Sequence, residues 1–165
     1  MTGVQTCALP ISLQTEALTL SDIVHEQCDA QAADGTVTLQ LDDTLPALPL
    51  DRARMRLLLR NLVDNALRHG SEAGQAPVVS TSATPQAVQL VVRDFGPGMD
   101  ESQLQHAAEA FYRADAARLR STGGVGLGLY LCKLVAEAHG GTLTLRNAHP
   151  GLEITTTLPL PPAGG

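Results

Sequence analysis

From Asp51 to about His69 two patterns share one stretch of chain. Met55, Leu58, Leu59, Leu62 and Ala66 recur at i, i+3, i+4 and i+7, the spacing that gathers side chains on one face of an α-helix. Asn61, Asn65 and Arg68 or His69 repeat at the same spacing on an adjoining face. The segment therefore has to bury one side and present a pair of amides on another.

The elements around it follow from period and punctuation. Ser21 can cap a helix over 22–33, which Asp34-Gly35 ends. Thr36 to Leu41 alternates with period two, as a strand with one buried face does. Residues 42–50 read as a proline-marked loop and 71–77 as a turn region. Strands over 78–84 and 88–93 flank Pro85-Gln86 as a hairpin. A short helix is expected over 103–110, and a mobile loop over the polar, Arg-rich and Gly-ended stretch 115–124. A last helix over 126–139 would carry Leu127, Leu131, Leu134, Val135 and Ala138 inward, and Gly140-Gly141 would stop it. Residues 142–146 and 153–158 make a final strand pair. No internal repeat is visible.

Composition removes several classes. At 165 residues and 44% hydrophobic the chain can build one domain with a core. Aromatics are 2% and Trp is absent, so that core must be Leu, Val, Ile and Ala. A net charge of −6, a single lysine (Lys133) and scattered arginines argue against broad electrostatic binding to nucleic acid or anionic lipid. No apolar run approaches the ~18 residues of a membrane span. Cys7, Cys28 and Cys132 form neither a CxxC pair nor a zinc pattern, which suits a reduced, intracellular chain. Cys28 and Cys132 fall in helical stretches and read as small core residues rather than reactive thiols. Residues 1–12, MTGVQTCALPIS, resemble a translated sequencing-library adapter and are set aside from fold reasoning; they have no signal-peptide pattern. The expected organisation is an artefactual, disordered 1–12, a leftover linker at 13–20, one domain over 18–160 and a disordered tail at 161–165.

Three motifs carry chemistry. Magnesium takes oxygen ligands and bridges nucleotide phosphates while keeping several waters. An amide oxygen joins that shell without adding negative charge beside a triphosphate. Asn65 is the candidate metal ligand, and Asn61, one turn earlier, can bond phosphate or a metal-bound water. The second motif is Asp94-Phe95-Gly96-Pro97-Gly98-Met99, where a strand-like run ends in a turn. A carboxylate only accepts hydrogen bonds, so Asp94 can accept from the exocyclic amine of adenine and would be repelled by the carbonyl of guanine. Gly96 and Gly98 let the backbone bend and approach the base. The third is Thr122 to Leu129, where Gly124, Gly126 and Gly128 alternate before a helical pattern, interleaved with Val125 and Leu127. Backbone N–H groups at a helix start bind phosphate. No Gly-Lys-Ser/Thr follows, and the spacing fails G-x-G-x-x-G, so neither a Walker loop nor a Rossmann fingerprint is present. Between the glycine motifs, Phe111 can anchor a loop and Arg113 can meet a terminal phosphate oxygen. Each motif alone is also compatible with an ordinary surface helix or turn; their combination makes an ATP site.

In order and spacing these motifs resemble the catalytic ATP-binding domain of bacterial sensor histidine kinases, within the superfamily that also holds gyrase, MutL-type ATPases and heat-shock chaperones. The resemblance covers roughly Leu18 to Leu160. Arg60 to His69 is similar to the asparagine box, Asp94 to Met99 to the first glycine box, Phe111 to Arg113 to the phenylalanine box and Thr122 to Leu129 to the second glycine box. Ala138-His139-Gly140-Gly141 resembles the usual end of the last helix. The resemblance implies an α+β two-layer sandwich of the Bergerat type, with a mixed, mainly antiparallel sheet backed by three helices. It implies ATP and Mg2+ between the asparagine helix and a lid over about 100–123. It assigns metal binding to Asn65, adenine reading to Asp94, and phosphate contact to Arg113, with Arg68 and His69 near phosphate or ribose. Asn61 and Arg113 would be the catalytic pair.

The implied activity is transfer of the ATP γ-phosphate to a histidine on a dimerisation/phosphoacceptor domain absent from this chain. Phosphoryl transfer of this kind needs mainly positioning and charge stabilisation. His25-Glu26 resembles a phosphoacceptor start only superficially, because the expected Arg and Pro do not follow; His25 reads as a surface residue. A response regulator is the implied partner. The parent would be a homodimer anchored in the bacterial inner membrane, and this fragment a cytoplasmic monomer without nucleic-acid or direct membrane contact, inactive alone. Three alternatives stand beside it. A gyrase- or MutL-type hydrolysing clamp and an anti-sigma-type serine kinase both place a Glu where this chain has Asn61. The third is an ATP-binding module without catalysis.

Overall fold

The computed structural model describes residues 12–70, 73–109 and 128–161. The described elements run β1 (Glu16–Leu18), α1 (Leu20–Ala33), β2 (Thr38–Gln40), β3 (Leu48–Leu50), α2 (Arg52–Gly70), β4 (Val78–Ala83), β5 (Ala87–Arg93), α3 (Glu101–His106), α4 (Gly128–Ala138), β6 (Thr142–Asn147) and β7 (Leu152–Pro159). Five strands form one sheet in the order β2-β4-β5-β7-β6. β2 pairs parallel with β4, and the other three ladders are antiparallel. α1, α2 and α4 cover one face, so the architecture is the expected α+β two-layer sandwich.

Alternation builds the inner face of the sheet. Val88, Leu90 and Val92 of β5 and Leu152, Ile154 and Leu158 of β7 are all 3% exposed or less. They meet the apolar stripe of α2, where Met55, Leu58, Leu59, Leu62 and Ala66 are at most 2% exposed, as their spacing predicts. The expected hairpin turns at Pro85-Gln86 between β4 and β5, and the expected final strand pair is β6–β7, antiparallel.

Four details differ from the sequence reading. Thr19, not Ser21, caps α1: its hydroxyl accepts from Asp22 N–H at 3.2 Å. Ser21 is buried instead, donating to Asp42 O at 2.7 Å and paired with Thr81 Oγ1 at 2.8 Å. Both residues suit a cap, and the tertiary partners of Ser21 decide between them. Second, Leu48 and Leu50 of the expected loop form β3, antiparallel to β1. Three-residue strands are too short to show a period. Third, α3 starts two residues early, because Asp100 and Gln103 close a capping box. Fourth, α4 buries Cys132, Val135 and Ala136, while Leu131 is 36% exposed and Leu134 is half-buried. Small residues let α4 approach α2 until the Cys132 thiol donates to Leu58 O at 3.4 Å. A bulkier leucine face would hold the helices apart.

Burial pushes the Cys28 thiol up to about 11 and the Cys132 thiol up to about 12. Both are core residues, as expected. His25 lies on the surface of α1, where a hydrogen bond to Asp29 holds its imidazole above the ordinary value.

Asp51 ties three parts together. Its carboxylate accepts from Arg54 N–H at 3.1 Å, which caps α2, and from Gln14 N–H at 2.9 Å. Its own N–H donates to His139 Nε2 at 3.0 Å, while His139 Nδ1 meets Val135 O at 2.8 Å. The ring is thereby fixed as the neutral Nδ1–H tautomer, bridging the end of α4 to the start of α2. Burial opposes ionisation of Asp51, but the backbone N–H groups of Gln14 and Arg54, aided by the charge of Arg54, hold its carboxyl below the ordinary value.

Asp51→Asn keeps one acceptor but turns a donor toward a neighbouring N–H. It should lower unfolding stability at pH 7 by about 1 kcal/mol in urea titrations. A depressed carboxyl contributes stability above its unfolded value of 3.8 and loses it as pH falls through the folded value. The gap between wild type and variant should therefore close in acid. In a Cys7→Ser background, Cys28 and Cys132 should resist an aqueous disulfide reagent at pH 8 and react once urea unfolds the chain.

Candidate nucleotide site

The two amides of α2 sit as their spacing requires. Asn61 Nδ2 donates to Leu57 O at 3.0 Å, one turn back, which commits the nitrogen and leaves Oδ1 as the outward atom. A Cβ placed on Gly128, the first residue of α4, would lie 3.6 Å from that oxygen. Asn65 is 8% exposed, and its Nδ2 is buried with no hydrogen-bond partner among the described residues. A buried amide left unpaired costs free energy until something bonds it.

Asp94 follows β5 directly and is 2% exposed. Its Oδ1 accepts from Gly96 N–H at 3.0 Å and Leu152 N–H at 3.2 Å, while its own N–H donates to Leu152 O at 3.0 Å. The carboxylate is anchored through one oxygen, and Oδ2 takes no partner among the described residues. Phe95 lies beneath the Arg93 guanidinium, 4.4 Å from its ring centroid.

Two close approaches seat this turn on α2. A Cβ at Gly70 would come 3.1 Å from Asp94 Cβ, and one at Gly96 would come 2.2 Å from His69 O. No larger residue fits at Gly96 without separating the two elements. α2 therefore forms one continuous wall, with Asn61 beside Gly128 and Gly70 beside Asp94. Those two points are nine residues apart, about 13 Å along a helix. Arg68 and His69 lie exposed on its last turn. Gly98, with φ +74°, and Met99 complete the turn, half-buried.

Phe111, Arg113, Gly124, Val125, Gly126 and Leu127 lie outside the described residues, as does the expected loop 115–124. Sequence reasoning missed Asn147, whose amide accepts from Met99 N–H at 2.9 Å and donates to Met99 O at 2.5 Å. Forty-eight residues separate the partners, so no local pattern signals the contact. It also missed Leu152 as the backbone partner of Asp94.

No cluster of three His, Cys, Asp or Glu able to hold a metal exists among the described residues. Among the described residues the site offers a cation the neutral amide oxygens of Asn61 and Asn65. That donor set suits magnesium, which seldom occupies an all-protein cage. No described helix is long and apolar enough to cross a membrane.

Known proteins share this fold. The chain is 37% identical over 148 residues to the signal transduction histidine-protein kinase AfsQ2 of Streptomyces coelicolor, across 87% of this chain and 27% of the relative. It is 38% identical over 111 residues to BaeS of Escherichia coli, another signal transduction histidine-protein kinase, across 67% of this chain and 24% of that one. It thus spans about a quarter of the length of these relatives. Among solved structures, full-length ShkA in complex with AMPPNP superposes with a TM-score of 0.78 at 22% identity, over 96% of this chain and 34% of that one. The catalytic domain of the histidine kinase ThkA gives 0.73 at 21% identity, over 89% and 96%. These likenesses establish the shared fold. The model of the histidine kinase-, DNA gyrase B- and HSP90-like ATPases matches residues 50–162, more than half of the chain, and the protein belongs to that family.

Proposed function

We propose that this chain is the ATP-binding catalytic domain of a two-component sensor histidine kinase. In the intact protein it transfers the ATP γ-phosphate to a histidine on a dimerisation/phosphoacceptor domain. The observation that carries the choice is the residue at position 61. The family's hydrolysing members place a water-activating Glu there, whereas Asn61 has its nitrogen committed to Leu57 O and presents an amide oxygen. An amide is no general base at neutral pH, so the site favours transfer to an external acceptor over hydrolysis. The similarity of the chain to signal transduction histidine-protein kinases, at 37–38% identity, supports the same choice.

Adenine is recognised by Asp94. Oδ1 is held by two backbone N–H groups, which aims Oδ2 as an acceptor for the exocyclic amine. The phosphates lie at the other end of α2, beside Asn61, Asn65 and the start of α4. Asn65, with Asn61 through a bound water, would hold Mg2+, which neutralises phosphate charge when bound. Arg68, His69 and Arg113 supply further contacts to phosphate or ribose, and Phe111 anchors the lid. Gly124 to Gly128 give the triphosphate backbone N–H groups. A response regulator takes the phosphoryl group onward. The parent is a homodimer anchored in the bacterial inner membrane, with this domain on the cytoplasmic side.

Four outcomes test this reading. Asn65→Ala should abolish Mg2+-dependent ATP binding in calorimetry. Asp94→Asn should keep the fold, because its Oδ1 still accepts from Gly96 and Leu152, yet turn a donor toward the amine and weaken ATP by about tenfold or more. Unchanged affinity in both variants rejects the site. Mixed with a kinase core that has its histidine but cannot bind ATP, the chain should place phosphate on that histidine; steady phosphate release without transfer would favour the clamp. Gly96→Ala should cost roughly 1–3 kcal/mol of stability and weaken ATP binding, because the added methyl drives the turn off the end of α2.

A further inference from the structure

Asn147 ends β6 and lies on the far side of the turn from Asp94. The turn is held at both ends by side chains. At its start, Asp94 Oδ1 accepts from Gly96 N–H at 3.0 Å. At its end, the Asn147 amide bonds both backbone groups of Met99, accepting at 2.9 Å and donating at 2.5 Å. Gly98 sits between, with φ +74°, and a Cβ there would meet Asn147 Oδ1 at 2.5 Å. The clamp is therefore packed against backbone as well as bonded to it. Behind it, the β6–β7 turn is braced on the same strand end. Arg93 Nη2 donates to Pro150 O at 3.1 Å and Ala148 O at 3.4 Å, and Gly151, with φ +91°, leaves room only for Asp94 O.

We propose that Asn147 is a positioning residue for base recognition, holding Gly96–Met99 so that the adenine-facing backbone and Asp94 keep a fixed separation. The inference rests on the ATP-site reading above. Only a side chain with a donor and an acceptor on one planar head can bond both the N–H and the C=O of a single residue in this way. Asn supplies that head at the right length, whereas Asp has the shape but no donor. Met99 also precedes Asp100, whose carboxylate caps α3. The clamp thus fixes the end of the base-binding turn, just before the Asp100 cap. Asn147 bonds the turn that follows Asp94, whereas Asn61 faces Gly128 at the start of α4, so the influence of the clamp falls on the base end of the site.

The test uses the full 165-residue chain, titrated with Mg·ATP and with Mg·tripolyphosphate, which lacks the base. Wild type is compared with Asn147→Ala and with the near-isosteric Asn147→Asp, and folding is followed by thermal melts. Both variants should bind ATP about tenfold or more weakly. Their tripolyphosphate affinity should stay within about twofold of wild type. Wild-type ATP affinity in the variants overturns the clamp. So does a parallel loss for both ligands, which is what general loosening of the domain would produce. Should the alanine variant not fold, the aspartate variant decides the matter alone. A wild-type chain that binds no ATP would instead sink the underlying site reading.

Discussion

The seating of the α2 C-terminus on the turn after β5 is the contact on which the site depends. His69 O lies where any side chain at Gly96 would have to go, and Gly70 lies against Asp94. This approach turns a helix and a strand end into one surface. Without it, the amides of α2 and the carboxylate after β5 would be unrelated polar groups. Because packed interiors tolerate little change in spacing, a contact this close sets the distance between Asp94 and Asn61 to the precision of a helix.

The other end of α2 is fixed with equal economy. Asp51 caps the helix, holds the incoming segment through Gln14 and receives the His139 ring from the end of α4. Cys132 then meets Leu58 O midway, so α4 is pinned to α2 at two levels. The first residue of α4, Gly128, is thereby brought to Asn61. Every described polar group of the site is positioned by an element that is itself anchored in the core.

Much of this was legible beforehand, for physical reasons that differ by element. The α2 stripe is long and periodic, so its buried face could be read residue by residue. β4, β5, β6 and β7 alternate over six to eight residues around clear turn signals. The α4 face departs from its hydropathy pattern because hydropathy ranks Leu131 above Cys132 and Ala136, whereas close helix packing rewards small side chains. The α1 cap is ambiguous in the sequence because Thr19 and Ser21 are equally suited to it, and only the distant Thr81 and Asp42 separate them.

Local sequence alone determined the periodic elements, the amide pair and the carboxylate, because helical and strand periods and side-chain chemistry are properties of neighbouring residues. Motif order and residue identity at position 61 were likewise written in the chain. Tertiary structure alone decided that Asn147 clamps Met99, that Leu152 anchors Asp94 and that His139 bridges α4 to α2. Those bonds join residues 48 to 88 positions apart. Only the stacking order of the sheet and the close approach of α2 bring them within reach of each other.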